Sequence, residues 1–468
     1  MPPVVPLPLA VKLHRQDALN YCGAACIQMI RQFEGADIGV LDQVELMKDS
    51  KNDLGTPLEC LDLFRWGTCP HSLAAGLNPT ATIEYVEKNS DQTPDELIQL
   101  IAYGLTQHGK PSVMLVDSGL HWMVVHGVRE DAVTGICFDV RDPWPPEVKA
   151  EEHEEEPDDG EDEGVASSHL IFPAGLQWHF NRADPRQPDD NPSQWKNHYV
   201  AIVPKSAADE WPEEVLPQEA LPPLEEDGPL PAALVNEQDA EQSALDAFAA
   251  ASSLGWEPAV GESVIAGFTV HLNLVQNSPV NALHSQSNYI VELHRDDDSG
   301  YVVAMALVAA AGLFGGQTLE LLAPAKGKSW LRQAAELRAF VSKRRELLRQ
   351  TILRPPSLLQ SGPENLPAPS VVKAARIAGS LMALQKWPKS LEEVPESLRW
   401  LLDQDQEQEE TEYVWTSTDE SRSPFHPFIR IKKGAREALL MPNGQFRRLS
   451  DIARDLTGIA RDLKRQKL

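Results

Sequence analysis

The stretch that most restricts the fold is the run from Cys22 to Phe33. Ala25, Cys26, Ile27, Met29, Ile30 and Phe33 leave almost no polar side when wound at helical spacing. A surface helix has one apolar stripe and a polar back. A helix apolar on nearly every side has to be enclosed by the rest of its domain, so the chain after it must supply layers around it.

Residues 1 to about 205 do alternate helix-like and strand-like stretches. Thr93 as a cap, Pro94 in the first turn and Asp95 and Glu96 next mark a helix start, and Gly109-Lys110-Pro111 marks its end. Ser112 to Val116 reads as a strand, and His198 to Pro204 as another. The interval 147–165 interrupts this pattern as an acidic insertion. Eleven Asp or Glu fall between 147 and 163 with no apolar periodicity, which marks a solvated insertion rather than an element.

Residues 206–235 are dense in Pro and Glu and read as a semi-extended linker. A small α+β domain is expected over 236–354. Phe268, Val270, Leu272 and Leu274 alternate with polar residues as in a half-buried strand, and Asp296 to Gly300 forms a hairpin turn between two more. The uncharged run 301–316 is too short to span a bilayer and reads as a buried hairpin. Leu331, Leu337, Phe340, Val341, Leu347, Leu348 and Ile352 predict one long amphipathic helix ending the domain. A second linker covers 355–369, and 370–468 is expected to be a mostly helical tail. That tail turns basic from His426, with eleven Lys or Arg against four acids. Its stripe Ile452, Leu456, Ile459 and Leu463 suits docking on this acidic protein or on a protein partner.

Composition narrows the functions. A formal net charge of -28 repels polyanions and argues against nucleic acid or an anionic membrane as a general partner. Five cysteines are too few and too odd in number for a disulfide framework, which points to a reducing compartment and at least one free thiol. The proline-broken start, Met1 to Leu9, lacks the features of a secretory signal, so the expected location is cytoplasmic, or outside by a route without one. No metal or cofactor is expected. Cys60, Cys69 and His71 lack ligand spacing, His153-Glu154-Glu155-Glu156-Pro157 lacks the second His of a zinc protease helix, Gly327-Lys328-Ser329 is not a phosphate loop, and no serine elbow occurs.

The chemistry is concentrated near the enclosed helix. A thiol is a nucleophile as thiolate, and a helix N-terminus beside an imidazolium supplies the positive potential that favours it. Cys22 stands at such an N-terminus. Gly23 and Ala24 keep the first turn small, leaving room for a substrate carbonyl. The Cys22 backbone N–H and the Gln16 side-chain amide are candidate donors to the oxyanion formed on attack. His121, in the apolar run 120–128, is the candidate partner that protonates the leaving group, and a carboxylate would fix its ring. Asp139 and Asp142 compete for that place. Strand parity puts Asp142 with Ile136, Phe138 and Val140, and Asp139 with Cys137 and Arg141, which favours Asp142; Trp144 would cover its hydrogen bond from water. Cys26, His126 and His198 read as structural, with His198 the second candidate for the imidazole.

Gln16, Cys22, His121 and Asp142, in this order and spacing, resemble the motifs of papain-like cysteine peptidases. Cys22-Gly23 and Asp142-Pro143 are most similar to the bacterial branch that processes double-glycine bacteriocin leaders. The resemblance covers residues 10 to 145 and extends toward 205. It implies an N-terminal papain-like domain, 1–205, with a central helix packed on an antiparallel sheet. It also implies a Cys-His-Asp triad with a Gln oxyanion donor, cleaving peptide or isopeptide bonds in a protein substrate. Leader-processing peptidases are commonly fused to membrane transporters, and no such spans follow here. Deamidation or acyl transfer by the same thiol, or a scaffold without turnover, are the alternatives.

Overall fold

The computed structural model describes residues 8–16, 21–37, 42–46, 68–78, 84–90, 95–116, 121–131, 135–144, 168–180, 199–211, 234–256, 261–271, 287–296, 301–312, 314–324, 331, 409–415, 421, 423–440 and 446–448. The acidic insertion, the 355–369 linker, the middle of the 206–235 linker, the long helix expected after Leu331, His198 and the stripe from Ile452 lie outside them; the start of the first linker is not extended but continues a helix from Lys205 to Glu210. Among the described residues the chain is α+β, and no helix is long and apolar enough to cross a membrane.

Helix α1 is Cys22–Phe33, and all but four of its residues are buried. It lies on a sheet face made by β2 (Ser112–Val116), β3 (His121–Asp131) and β6 (Tyr199–Pro204), where Ile27, Met29 and Ile30 meet Val113, Leu115, Trp122, Val124 and Ile202. Each of those three side chains contributes roughly 1.5–3 kcal/mol of transfer free energy. Helix α2 (Pro70–Leu77) joins it, Leu73 and Leu77 belonging to the same core. Helix α3 (Asp95–His108) carries the acidic first turn expected of it and ends at Gly109, whose φ is +60°. It covers the opposite face, with Leu97, Ile101 and Leu105 against Met114, Val116, Tyr199 and Val203. The enclosure demanded by α1 is thus met by strands below it, α2 beside it and a second layer beyond the sheet.

The sheet does not stop with this region. The remaining strands are β1 (Tyr85–Ser90), β4 (Gly135–Arg141), β5 (Ser168–Ile171), β7 (Gly261–His271), β8 (Asn288–Arg295), β9 (Val302–Ala309), β10 (Thr318–Ala323), β11 (Glu409–Trp415), β12 (Phe428–Lys433), β13 (Arg436–Leu440) and β14 (Phe446–Arg447). Their order is β1-β6-β2-β3-β4-β5-β10-β9-β8-β7-β11-β12-β13-β14. Among the described pairs only β7 with β11 is parallel. The join is β5 with β10, where Leu170 faces Leu321 and His169 faces Leu322. The segments on either side of the 206–235 linker are therefore distant in sequence and adjacent in one sheet. The hairpin reading of 301–316 corresponds to buried β9 turning back into β10.

Past the linker, helix α6 (Glu237–Ser253) lies on β8, β9 and β10, its Ala240, Ala244, Phe248 and Ala251 buried against Val291, Ala306 and Leu321. Two shorter helices, α4 (Pro173–Phe180) and α5 (Lys205–Glu210), complete the described set. On the other face Trp178 of α4 stacks on Trp415 of β11, with centroids 6.1 Å apart.

One expectation is corrected over the described residues. The described part of 370–468 is strand, not helix, from β11 to β14. The reason is local. Phe428-Ile429-Arg430-Ile431 and Arg436 to Leu440 form a hairpin closed over Gly434-Ala435, with Lys433 opposite Arg436 and Gly434 at φ +59°. Charge density in that segment obscured a two-residue hairpin turn.

Candidate functional site

Cys22 is the first residue of α1. The residue before it, Tyr21, makes no side-chain cap, and no acidic residue sits in the first turn. The helix therefore presents its positive end and first N–H groups without an internal anion to neutralise them. Gly23 corrects one detail of the sequence analysis. A Cβ there would stand 2.5 Å from the Thr68 Oγ1, so the space at Gly23 is filled by Thr68 rather than left for a substrate. Thr68 is held in turn by the Trp122 indole, which donates to its carbonyl at 2.8 Å.

His121 opens β3, and Asp142 follows the last residue of β4. The pairing of these two antiparallel strands brings the side chains together. The His121 Nε2 donates to the Asp142 Oδ1 at 2.7 Å, with the histidine fully buried. Nδ1 has no partner at ordinary hydrogen-bond geometry among the described residues, yet the Cys22 thiol is close enough to act on the ring. Burial alone would lower the basicity of His121. The Asp142 charge and hydrogen bond, followed by Cys22, more than offset it and lift the imidazole to about 9. Burial would likewise push the Asp142 carboxyl up. The His121 charge and hydrogen bond, His169 and the Trp144 N–H hold it below the ordinary carboxylate value instead. That last bond, from the Trp144 N–H to Oδ1 at 2.8 Å, makes Trp144 a backbone donor to the acid as well as a buried side chain.

Gln16 is fully buried, and its N–H donates to the Pro143 carbonyl at 3.0 Å. The arm that carries it is clamped to the acid's loop. Arg15 donates to the Asp142 carbonyl at 3.1 Å and to the Trp144 carbonyl, and the Gln43 amide reaches the Arg15 carbonyl and the Gln28 side chain on α1, each at 2.8 Å. The segment bearing the candidate oxyanion donor and the loop bearing the acid are thus one hydrogen-bonded unit. Nothing in the residue order marks Arg15 or Gln43, because the bonds that tie the arm to the loop go to backbone carbonyls, which every residue has.

The competing residues go elsewhere. Asp139 accepts from Arg129 at 2.8 and 3.1 Å, and burial raises its pKa despite that partner. Its carboxylate packs over Gly127, where a Cβ would come within 2.7 Å of Oδ2. His126 bonds the Leu9 carbonyl at 3.0 Å and is pushed down to about 4, chiefly by burial. Cys26 is buried in the core, and burial, then Cys22 and Asp142, push its thiol well up. Among the described residues no cluster of His, Cys, Asp or Glu has the arrangement to hold a metal ion.

No family model matches the chain, and no curated protein matches it. The likeness to leader-processing peptidases therefore rests on the residues that carry it. Among solved structures the chain is similar to the crystal structure of UfSP from C. elegans, at 13% identity and a TM-score of 0.23. That match covers 42% of this chain and 34% of the other, so the chain spans about a third of that protein's length.

Proposed function

We propose that this protein is a cysteine peptidase that attacks a carbonyl of a protein or peptide substrate with Cys22. The observation that carries the reading is the buried His121–Asp142 bond of 2.7 Å beside the uncapped N-terminus of α1. His121 protonated up to about pH 9 is an imidazolium at neutral pH, and with the helix end it stabilises a Cys22 thiolate. Attack forms the C–S bond and moves charge to the carbonyl oxygen, to which the Cys22 N–H and the Gln16 side-chain amide donate hydrogen bonds. Collapse expels the amine with the proton of His121. Water then adds to the thioester, giving its proton to the ring and releasing the acid. Asp142 holds the ring in orientation throughout. Among the described residues Cys22, Cys26, Cys69 and Cys137 form no disulfide, which suits a reducing compartment.

The test is labelling of the full chain with a thiol-directed peptidyl electrophile. Wild type is expected to label at Cys22 and Cys22→Ala to lose that label; equal labelling of the two overturns the assignment. Mass spectrometry of treated proteins then separates cleavage, which makes new termini, from deamidation, which shifts mass by about one unit.

A further inference from the structure

A second histidine–carboxylate pair lies a few residues from the first, and its members come from opposite sides of the linker. His169 on β5 donates from Nε2 to Glu320 Oε2 on β10 at 2.7 Å, and both side chains are buried. In the register of β4 with β5, His169 faces Val140. Asp142 is two residues beyond Val140, on the same side of the strand and diagonal to His169, a spacing at which long side chains interact. From the third part of the chain, Phe425 sets its ring edge-on to His169, with centroids 6.2 Å apart at 80°. The next residue, His426, is half-buried, with Asp142 and Arg15 as its charged neighbours.

A buried polar pair is a poor stabiliser compared with apolar side chains of similar volume, and Val140, Ile171 and Phe425 adjoin this one with the makings of an ordinary core. We propose that His169 and Glu320, held under Phe425, are positioning residues that fix and support the Asp142 carboxylate, so that the strands beyond the linker are part of the thiol site. The proposal rests on the peptidase reading. Burial presses His426 down to about 4, Asp142 opposing this and Arg15 adding to it, so it stays neutral. His169 is among the groups that hold Asp142 ionised. Among the described residues, Glu320 from β10 bonds His169 and Asp142, just past β4, interacts with it electrostatically, while His426 has Asp142 and Arg15 as its charged neighbours.

The experiment follows alkylation of Cys22 by iodoacetamide against pH in the full chain, reading the Cys22 peptide by mass spectrometry so that the other thiols do not interfere. With the pair intact, Asp142 stays ionised into acid and the thiolate–imidazolium pair persists. In Glu320→Gln and in His169→Gln, Asp142 takes up a proton more easily. The acid limb should then move to higher pH by roughly 0.5–1 unit, with the rate at pH 5 falling about 3- to 10-fold and the rate at pH 8 little changed. Glu320→Asp, which keeps the charge, should restore most of the wild-type limb. Glu437→Gln on β13, which alters the ion pair with Arg430 on β12, should leave the limb in place. Circular dichroism identifies variants that fold, and either of the two neutralising variants is sufficient. A wild-type acid limb that both leave in place, or that Glu320→Asp disturbs as much as Glu320→Gln, overturns the proposal alone. A Cys22 no more reactive in wild type than a free cysteine overturns the thiol-site reading and the proposal with it.

Discussion

Two histidine–carboxylate pairs of the same 2.7 Å length sit in one sheet, and one of them is beside Cys22, the proposed nucleophile. His121–Asp142 joins neighbouring strands where the N-terminus of α1 arrives without cap or acid. His169–Glu320 joins strands from residues 151 apart and is sealed by an aromatic ring. Helix α6 sharpens the contrast. Its N-terminus is closed by Asn236, which accepts from the Asp239 N–H, and Glu237 and Asp239 occupy its first turn. A buried imidazole with a carboxylate partner is therefore not in itself a reactive group. It becomes one where a thiol and an undischarged helix end share its field.

Breaking the first pair should have the largest effect. His121→Ala removes both the counter-charge for the thiolate and the proton for the leaving group, so peptide turnover is expected to fall by about 10²- to 10⁴-fold, measured as kcat/KM on any substrate that the labelling identifies. The same substitution at His169 should cost far less at pH 8, and equal losses would erase the distinction between the pairs.

Asp142→Asn comes next and has a signature in pH. His121 is raised from 6.5 to about 9, so the stability it adds is fully present below pH 6.5 and is lost as pH rises through about 9. Without the carboxylate, burial is opposed only weakly. The alkaline limb of Cys22-dependent activity should then fall from about 9 to near or below 6.5, and urea midpoints between pH 6 and 10 should lose the same dependence. An unchanged alkaline limb would separate Asp142 from the histidine's function.

The smallest effect is expected at Gly23. In Gly23→Ala the new methyl meets Thr68, so overpacking should cost about 1–3 kcal/mol of unfolding free energy. Because Thr68 and Trp122 shift rather than His121, the pH limbs should stay in place; a moved limb would tie the Thr68 segment to the chemistry.

Much of the first region was legible because its signals are local. An all-round apolar helix must be enclosed, and Ser112 to Val116 alternates between two covered faces. Parity along β4 separated Asp142 from Asp139, and in the structure the two carboxylates do face different partners, His121 and Arg129. The strands from β11 to β14 were not legible, because charged residues within them mask a short-period pattern. Gly23 was misread for a related cause: that a glycine permits a close approach is readable, but what approaches is not.

The sequence by itself determined the chemistry-bearing residue types, the enclosed helix with a thiol at its start, and the two strands, one beginning at His121 and one ending just before Asp142. Those follow from periodicities of two and 3.6 residues, which neighbouring residues carry. The tertiary structure alone decided that β5 meets β10, that Arg15 straps the Gln16 arm to the acid's loop, and that Glu320 and Phe425 close around His169. Such contacts depend on loop closure over long separations and on bonds to backbone carbonyls, neither of which leaves a pattern in residue order.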